Sequence, residues 1–362
     1  MKSRIYLDHA ATTPVGVAAR AAMAQALDIV GNPSSVHAGG RAANACLEGA
    51  RDAVARFAGA APEQIIFTSG GTEALHLALH GARGLSRLLA SATEHSAVLN
   101  ARDDISILPV GHDGLIDLAA LEAALAAGPA LVAVQAGNNE TGVLQPLAEV
   151  AALVHAGGGL LLADCVQSAS KIALPAADFI ALSAHKLGGP PGVGALIVKH
   201  ADTLHAVQRG GQERGFRGGT HNLPGIAGFG AAVAERHDWA AVATSRDAME
   251  TQLIAAGARI HGLDAPRLPN ISSIGLPGVP AATQVMMLDL DGIMVSAGAA
   301  CSSGKVKTSH VLAAMGQGQD GGAQAGEAIR VSLSPATSDG DIAAFTAAWL
   351  AMAARLGRKS GG

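Results

Sequence analysis

The chain has 362 residues, of which 49% are hydrophobic, 15% charged and 2% aromatic, with a net charge of -4. That length suits two domains, and that apolar content suits a large core rather than disorder. The slight acidity, the lack of a basic tract and the scarcity of rings for base stacking argue against nucleic-acid binding.

No charge-free apolar stretch reaches the ~20 residues of a membrane span, so no membrane is expected. The opening Met1-Lys2-Ser3-Arg4-Ile5-Tyr6-Leu7-Asp8 has no apolar export core behind its basic residues, and the cytoplasm is the expected compartment. Cys46, Cys165 and Cys301 are far apart and form neither a disulfide framework nor a CxxC pair. The 14 histidines show no HExxH spacing, and no metal site is expected.

Residues 5–13 read as a short strand and turn closed by Pro14, with helical signals following as far as Val30. Turn formers crowd Gly31-Asn32-Pro33-Ser34-Ser35. Ala43, Leu47, Ala50, Val54 and Phe57 recur at helical spacing, so 41–57 is predicted helical, with Cys46 a small core residue. In Ile65-Ile66-Phe67-Thr68-Ser69-Gly70-Gly71-Thr72-Glu73 a strand breaks at glycines and restarts as a helix. Its bare amides and helix N-terminus would suit a phosphate, although a plain connection would look the same.

Further strands are predicted at 88–92, 105–110, 131–136, 160–164, 179–184 and 194–199, with helices at 117–127 and 146–156. Such alternation builds βαβ units and a mostly parallel sheet, an α/β fold. Four junctions carry unusual polar residues: Thr93-Glu94-His95, Asn138-Asn139-Glu140-Thr141-Gly142, Asp164-Cys165-Val166-Gln167 and Ser183-Ala184-His185-Lys186. Singly, each has a plain reading: a helix cap for Asp164, a buried partnered histidine for His95, turn formers for the asparagines, a surface lysine for Lys186. All four follow strands and so share one rim, where open α/β sheets bind ligands. A lysine there could form a Schiff base with a cofactor aldehyde.

The run 209–222 is glycine-rich and carries Arg209, Arg214 and Arg217. A linker would explain it; the sharper reading is a loop reaching an anion on a partner subunit. Helical sequence then runs to about Ala256, with a domain boundary near 240. The last third shows strands at 270–274 and 293–296 around a helix at 284–290. Cys301 follows in Ala297-Gly298-Ala299-Ala300-Cys301-Ser302-Ser303-Gly304, where small residues give little to bury a thiol and leave the loop free to move. A strand at 327–333 bears Arg330, suited to a carboxylate or to a structural ion pair.

Assembled, these motifs resemble the cysteine desulfurases of the NifS/IscS type, within the class V aminotransferase family, from Tyr6-Leu7-Asp8 to Arg330-Val331-Ser332-Leu333. The cysteine loop is the most discriminating piece. The resemblance implies a fold type I PLP-transferase (aspartate aminotransferase-like), with a large domain over 14–240 and a small α+β domain from 1–13 with 241–362. It implies pyridoxal 5'-phosphate (PLP) as cofactor and L-cysteine as substrate. Lys186 would bind the cofactor aldehyde, Asp164 pair with the ring nitrogen, and Gln167 and Asn139 approach the ring oxygen. His95 would stack on the ring and move protons. Gly71, Thr72, Ser183 and His185 would hold the phosphate, completed by Thr220 of the second subunit of a homodimer. Arg330, Asn32 and Asn139 would grip the substrate carboxylate. Cys301 would accept sulfur as a persulfide and pass it to an acceptor or iron–sulfur scaffold protein, where it could contact a transferred cluster. A selenocysteine lyase, another class V enzyme or a non-catalytic scaffold are the alternatives. Cys165 departs from the family pattern and is expected to be a buried bystander.

Overall fold

The computed structural model describes residues 4–300, 306–316 and 324–357. Cys301 therefore lies outside the described residues. The strands in chain order are β1 (Ile5–Tyr6), β2 (Ile65–Thr68), β3 (Leu88–Ser91), β4 (Ile105–Leu108), β5 (Leu131–Gln135), β6 (Leu160–Asp164), β7 (Phe179–Ser183) and β8 (Gly194–Val198). Then come β9 (Arg259–Ile260), β10 (Ile271–Gly275), β11 (Ile293–Met294), β12 (Ser296–Ala297), β13 (Ala299–Ala300), β14 (Val306–Lys307) and β15 (Ala328–Ser332). The helices are α1 (Val17–Leu27), α2 (Ala38–Ala58), α3 (Gly71–Gly81), α4 (Ser96–Leu99), α5 (Leu118–Leu125), α6 (Leu147–Ala156), α7 (Leu223–Ala232), α8 (Trp239–Ala255), α9 (Ala281–Leu290), α10 (His310–Ala314) and α11 (Asp339–Gly357).

Seven strands form one sheet in the order β2-β8-β7-β6-β5-β3-β4. Strands β4, β3, β5, β6 and β7 run parallel, and β8 is antiparallel to both its neighbours. Every residue of β2, β3, β5, β7 and β8 is buried. These continuous apolar runs are the mark of strands covered on both faces. Period-two geometry divides them: Val132 and Val134 point into one core with Phe67, Leu161 and Leu182, while Leu131 and Ala133 join Ile66, Leu162 and Phe179 in another. Helices α2, α6 and α7 cover the first face and α3 the second.

A third core gathers Leu7 with Val242, Met249, Leu253, Ile274, Leu288, Ile329, Val331, Phe345 and Trp349. Around it lies a sheet in the order β12-β15-β10-β9. Two expectations need correction here. The helical stretch predicted to run to Ala256 is two helices, because Asp238 accepts the Ala241 N–H at 3.0 Å and starts α8 afresh. The strand predicted at 293–296 changes partner at Val295: Met294 pairs with Tyr6, while Ser296 pairs with Arg330.

Among the described residues no helix is long and apolar enough to cross a membrane.

Candidate active site

Parallel strands end together, so the residues after β3, β5, β6 and β7 meet at one rim. A cavity of about 510 Å³ opens there, lined by His95, Asn139, Asp164, Gln167, Ser183, His185 and Lys186. Gly71 and Thr72 reach it from the N-terminus of α3, and Arg330 from β15. Ten sequence-predicted residues thus share one space. Asn32 and Thr220 do not line it; both are exposed. The Asn32 side chain instead closes its own turn, accepting the Ser34 N–H at 2.9 Å.

Lys186 follows β7, and its amine donates to the carbonyls of Ala10 and, at 2.7 Å, Ala11. Burial first, then the nearby Arg330 charge, brings it down to about 8, against the opposing pull of Asp8 and Asp164. Asp164 ends β6 and is 8% exposed. Its Oδ1 accepts the Val166 N–H at 2.9 Å. Burial raises the carboxyl to about 6, more than that hydrogen bond and Lys186 lower it. His95 caps α4: its Nδ1 accepts the Ala97 N–H at 3.0 Å, which leaves the ring proton to Nε2. Burial, then Lys186 and His310, hold His95 below its ordinary range, so the ring is neutral. His185 meets Thr12 Oγ1 at 3.1 Å, and burial with Lys186 lowers it to about 4.

Arg330 is 5% exposed. Its Nη2 donates to Asp8 at 2.7 Å and its Nη1 to the Asn139 carbonyl at 3.0 Å. Its Nε has no partner among the described residues. Arg330 lines the cavity, where a guanidinium suits an incoming carboxylate. Gln167 is held by the strand-turn segment 5–13, donating to the Ala10 carbonyl at 2.8 Å.

The residues also fit pyridoxal phosphate. A buried carboxylate raised to about 6 gains from a cationic ring N–H brought against it. Gly71 packs so closely that an added Cβ would lie 2.6 Å from Val166 Cγ2, leaving the α3 amides bare toward the cavity. A depressed amine stands on the same rim.

Several contacts around the site have no local signal in the sequence. Glu94 is fully buried; its Oε1 accepts the Gln135 N–H at 2.8 Å, and its Oε2 has no partner among the described residues. His310 lines the cavity and meets the Glu94 carbonyl at 2.9 Å. Lys171, a second buried amine, donates to the Gln167 carbonyl at 2.7 Å and sits 5.3 Å over the Trp239 ring, brought down to about 7 by burial and Lys186. In the glycine-rich loop two of the three arginines have partners within the chain. Arg214 donates to the carbonyls of Glu63 and Ile65, and Arg217 pairs with Glu73 at 2.6 Å. Cys165 is buried as expected, with its thiol pushed well up by desolvation. Cys46 packs against the first core. Among the described residues no group of three or more His, Cys, Asp or Glu could hold a metal ion.

The family model for aminotransferase class V matches residues 5–345. A cysteine desulfurase of Cereibacter sphaeroides is 40% identical over 94% of this chain and 93% of its own length. A cysteine desulfurase IscS of an Anaeromyxobacter species is 37% identical over 94% and 90%. The X-ray structure of a NifS-like protein from Rickettsia africae superposes with a TM-score of 0.88 at 32% identity, covering 96% of this chain and 98% of that one.

Proposed function

The chain belongs to the class V aminotransferase family, and from that premise we propose that it is a PLP-dependent L-cysteine desulfurase. The observation that carries the reading is the convergence of Lys186, Asp164, His95 and Arg330 on one cavity. A binding scaffold has no use for a desolvated amine, a raised carboxylate and a buried guanidinium together.

When bound, pyridoxal phosphate supplies an aldehyde for an amine and a ring that withdraws electrons from the carbon losing its proton. Gly71, Thr72, Ser183 and His185 would hold its phosphate, with Thr220 of the partner protomer completing that cup in a homodimer. Asp164 would face the ring nitrogen, and Gln167 and Asn139 the ring oxygen. Lys186, at about 8, keeps a neutral fraction near physiological pH, as a nucleophilic amine requires. The Ala10 and Ala11 carbonyls aim that amine. His95 holds a proton at Nε2, where it can be given up. Arg330, with Asn139, would orient the L-cysteine carboxylate from the cavity wall; Asn32 could join them only if its turn moved toward the cavity.

Cys301 is the proposed sulfur acceptor. Its thiolate forms an S–S bond to the substrate sulfur as the substrate C–S bond breaks. The departing electron pair stays with the organic fragment, which takes up a proton and leaves as alanine. A thiol of pKa ~8.5 is mostly protonated at neutral pH, so a nearby base must assist. The resulting persulfide would pass to a sulfur acceptor or iron–sulfur scaffold in the cytoplasm. The separate core around Leu7 supports reading 1–13 with 241–362 as a small domain beside a large one at 14–240.

Protein purified with pyridoxal phosphate should be yellow and turn cysteine into alanine and sulfide when a thiol is present. Cys301→Ala should keep the colour and lose the sulfur adduct. A colourless protein with no cysteine turnover would refute the reading.

A further inference from the structure

The Glu140 side chain lies where two parts of the fold meet. Its backbone N–H, with that of Thr141, donates to Asn138 Oδ1, each at 2.8 Å, which fixes the turn after β5. Glu140 is 3% exposed, and it lines the cavity. Its Oε2 accepts the Ser309 hydroxyl at 2.6 Å, a short charge-assisted bond. Ser309 is itself buried, and its hydroxyl also accepts the Leu312 N–H at 3.0 Å, capping α10.

The same carboxylate oxygen meets a second strand. A Cβ added to Gly298 would lie 2.4 Å from Glu140 Oε2, so a glycine is needed for the backbone to approach this closely. Gly298 directly precedes β13, and Ser309 stands two residues beyond β14. Strands β13 and β14 pair antiparallel, Ala299 opposite Lys307 and Ala300 opposite Val306. In sequence, what joins them is 301–305, the stretch that begins with Cys301. One oxygen atom on the cavity wall therefore lies against the residues that flank the β13–β14 pair, between whose strands the proposed nucleophile falls in sequence.

We infer that Glu140 is a positioning residue: with Ser309 and Gly298 it fixes the β13–β14 pair against the cofactor cavity and so sets the efficiency of sulfur transfer to Cys301. The inference rests on the desulfurase reading. The backbone that bears this carboxylate is fixed by the two amide bonds to Asn138, and the carboxylate itself is held by the short Ser309 hydroxyl bond, so it can define where both strands begin. An alternative structural role, merely stabilising the turn after β5, would be served by Asn138 alone, whose Oδ1 already takes both amides and the Thr141 hydroxyl.

The test compares two half-reactions in the PLP-loaded protein. Glu140→Gln keeps the shape and removes the charge; Ser309→Ala removes the hydroxyl; Gly298→Ala forces the start of β13 off the carboxylate. For each, cofactor content and the cysteine-induced change in visible absorbance report the first half. Mass spectrometry of the Cys301 peptide in a single turnover reports the second. Misplacing a reacting group by an ångström costs up to about a hundredfold, so the sulfur adduct should form at least tenfold more slowly in all three variants. Cofactor content and the absorbance change should stay at wild-type levels. Wild-type rates of adduct formation in Glu140→Gln and Gly298→Ala would overturn the inference. So would parallel losses of cofactor content and adduct, since those are the mark of a general structural defect. An absence of adduct on the wild-type protein would instead overturn the desulfurase reading beneath it.

Discussion

Glu213 anchors the glycine-rich loop that carries Thr220, and its removal should unfasten that loop. Its Oε2 accepts Arg51 Nη1 and the Phe67 N–H, both at 2.8 Å; its Oε1 accepts Arg51 Nη2 at 3.0 Å and meets His221 Nε2 at 2.7 Å. Both Glu213 and Arg51 are 3% exposed. The segment holds two residues with left-handed backbone, Glu213 at φ 47° and Arg214 at φ 56°, a cost of about 1–3 kcal/mol each that the pairing must offset. Hydrogen bonds from His221 and Arg51, and the charge of Arg51, outweigh burial and bring the Glu213 carboxyl from 4.5 down to about 2. A depression of that size corresponds to stabilisation of the order of 3 kcal/mol at neutral pH. Breaking a buried pair from one side costs a similar ~3–5 kcal/mol. Glu213→Gln should therefore lower the melting temperature by several degrees at pH 7. Because the folded value lies below the unfolded one, the stabilisation is complete above about 4.5 and fades as the pH falls toward 2. The gap between wild type and variant should more than halve by about pH 3. The assay is thermal unfolding of both proteins across pH 3–7. Equal melting at pH 7, or a gap independent of pH, would refute the reasoning.

The Arg330 charge helps hold Lys186 down at about 8. Arg330→Met should shift the midpoint of Lys186 modification by an amine reagent to higher pH, and raise KM for cysteine by about tenfold or more through loss of the charged hydrogen bond to the carboxylate. An unmoved midpoint with normal KM would remove Arg330 from the site. Glu94 is raised well above the ordinary carboxylate range by burial, more than the Gln135 N–H lowers it, so it folds in its neutral form. Its unfolded counterpart ionises above about 4.5. Wild-type stability should accordingly fall with rising pH relative to Glu94→Gln, measured by denaturant unfolding from pH 4 to 8; a constant difference would show that Glu94 is ionised in the fold.

The large sheet was legible because its strands are short apolar runs punctuated by glycine, proline and polar turns, and each predicted strand from 88 to 199 is observed within two residues of its expected ends. The rim was legible because parallel strands force Thr93-Glu94-His95, Asn138-Asn139, Asp164 and His185-Lys186 to the same edge. Contacts between distant segments were not. Nothing local marks His310 as a neighbour of Glu94, or Ser309 as a partner of Glu140 across 169 positions. The signal that could have found Ser309 is its place as a helix cap beside a histidine. The partners of Arg214 and Arg217 were not legible either, because the carbonyls of Glu63 and Ile65 and the Glu73 carboxylate come from a segment far earlier in the chain.

The central claim is that Lys186 carries the cofactor, and it has a built-in competitor, since Lys171 is a second buried amine in contact with Gln167. Borohydride reduction of the PLP-treated protein, followed by peptide mapping, should place one pyridoxyl group on Lys186. A label on Lys171, or a protein that reduction leaves unlabelled, would contradict the account.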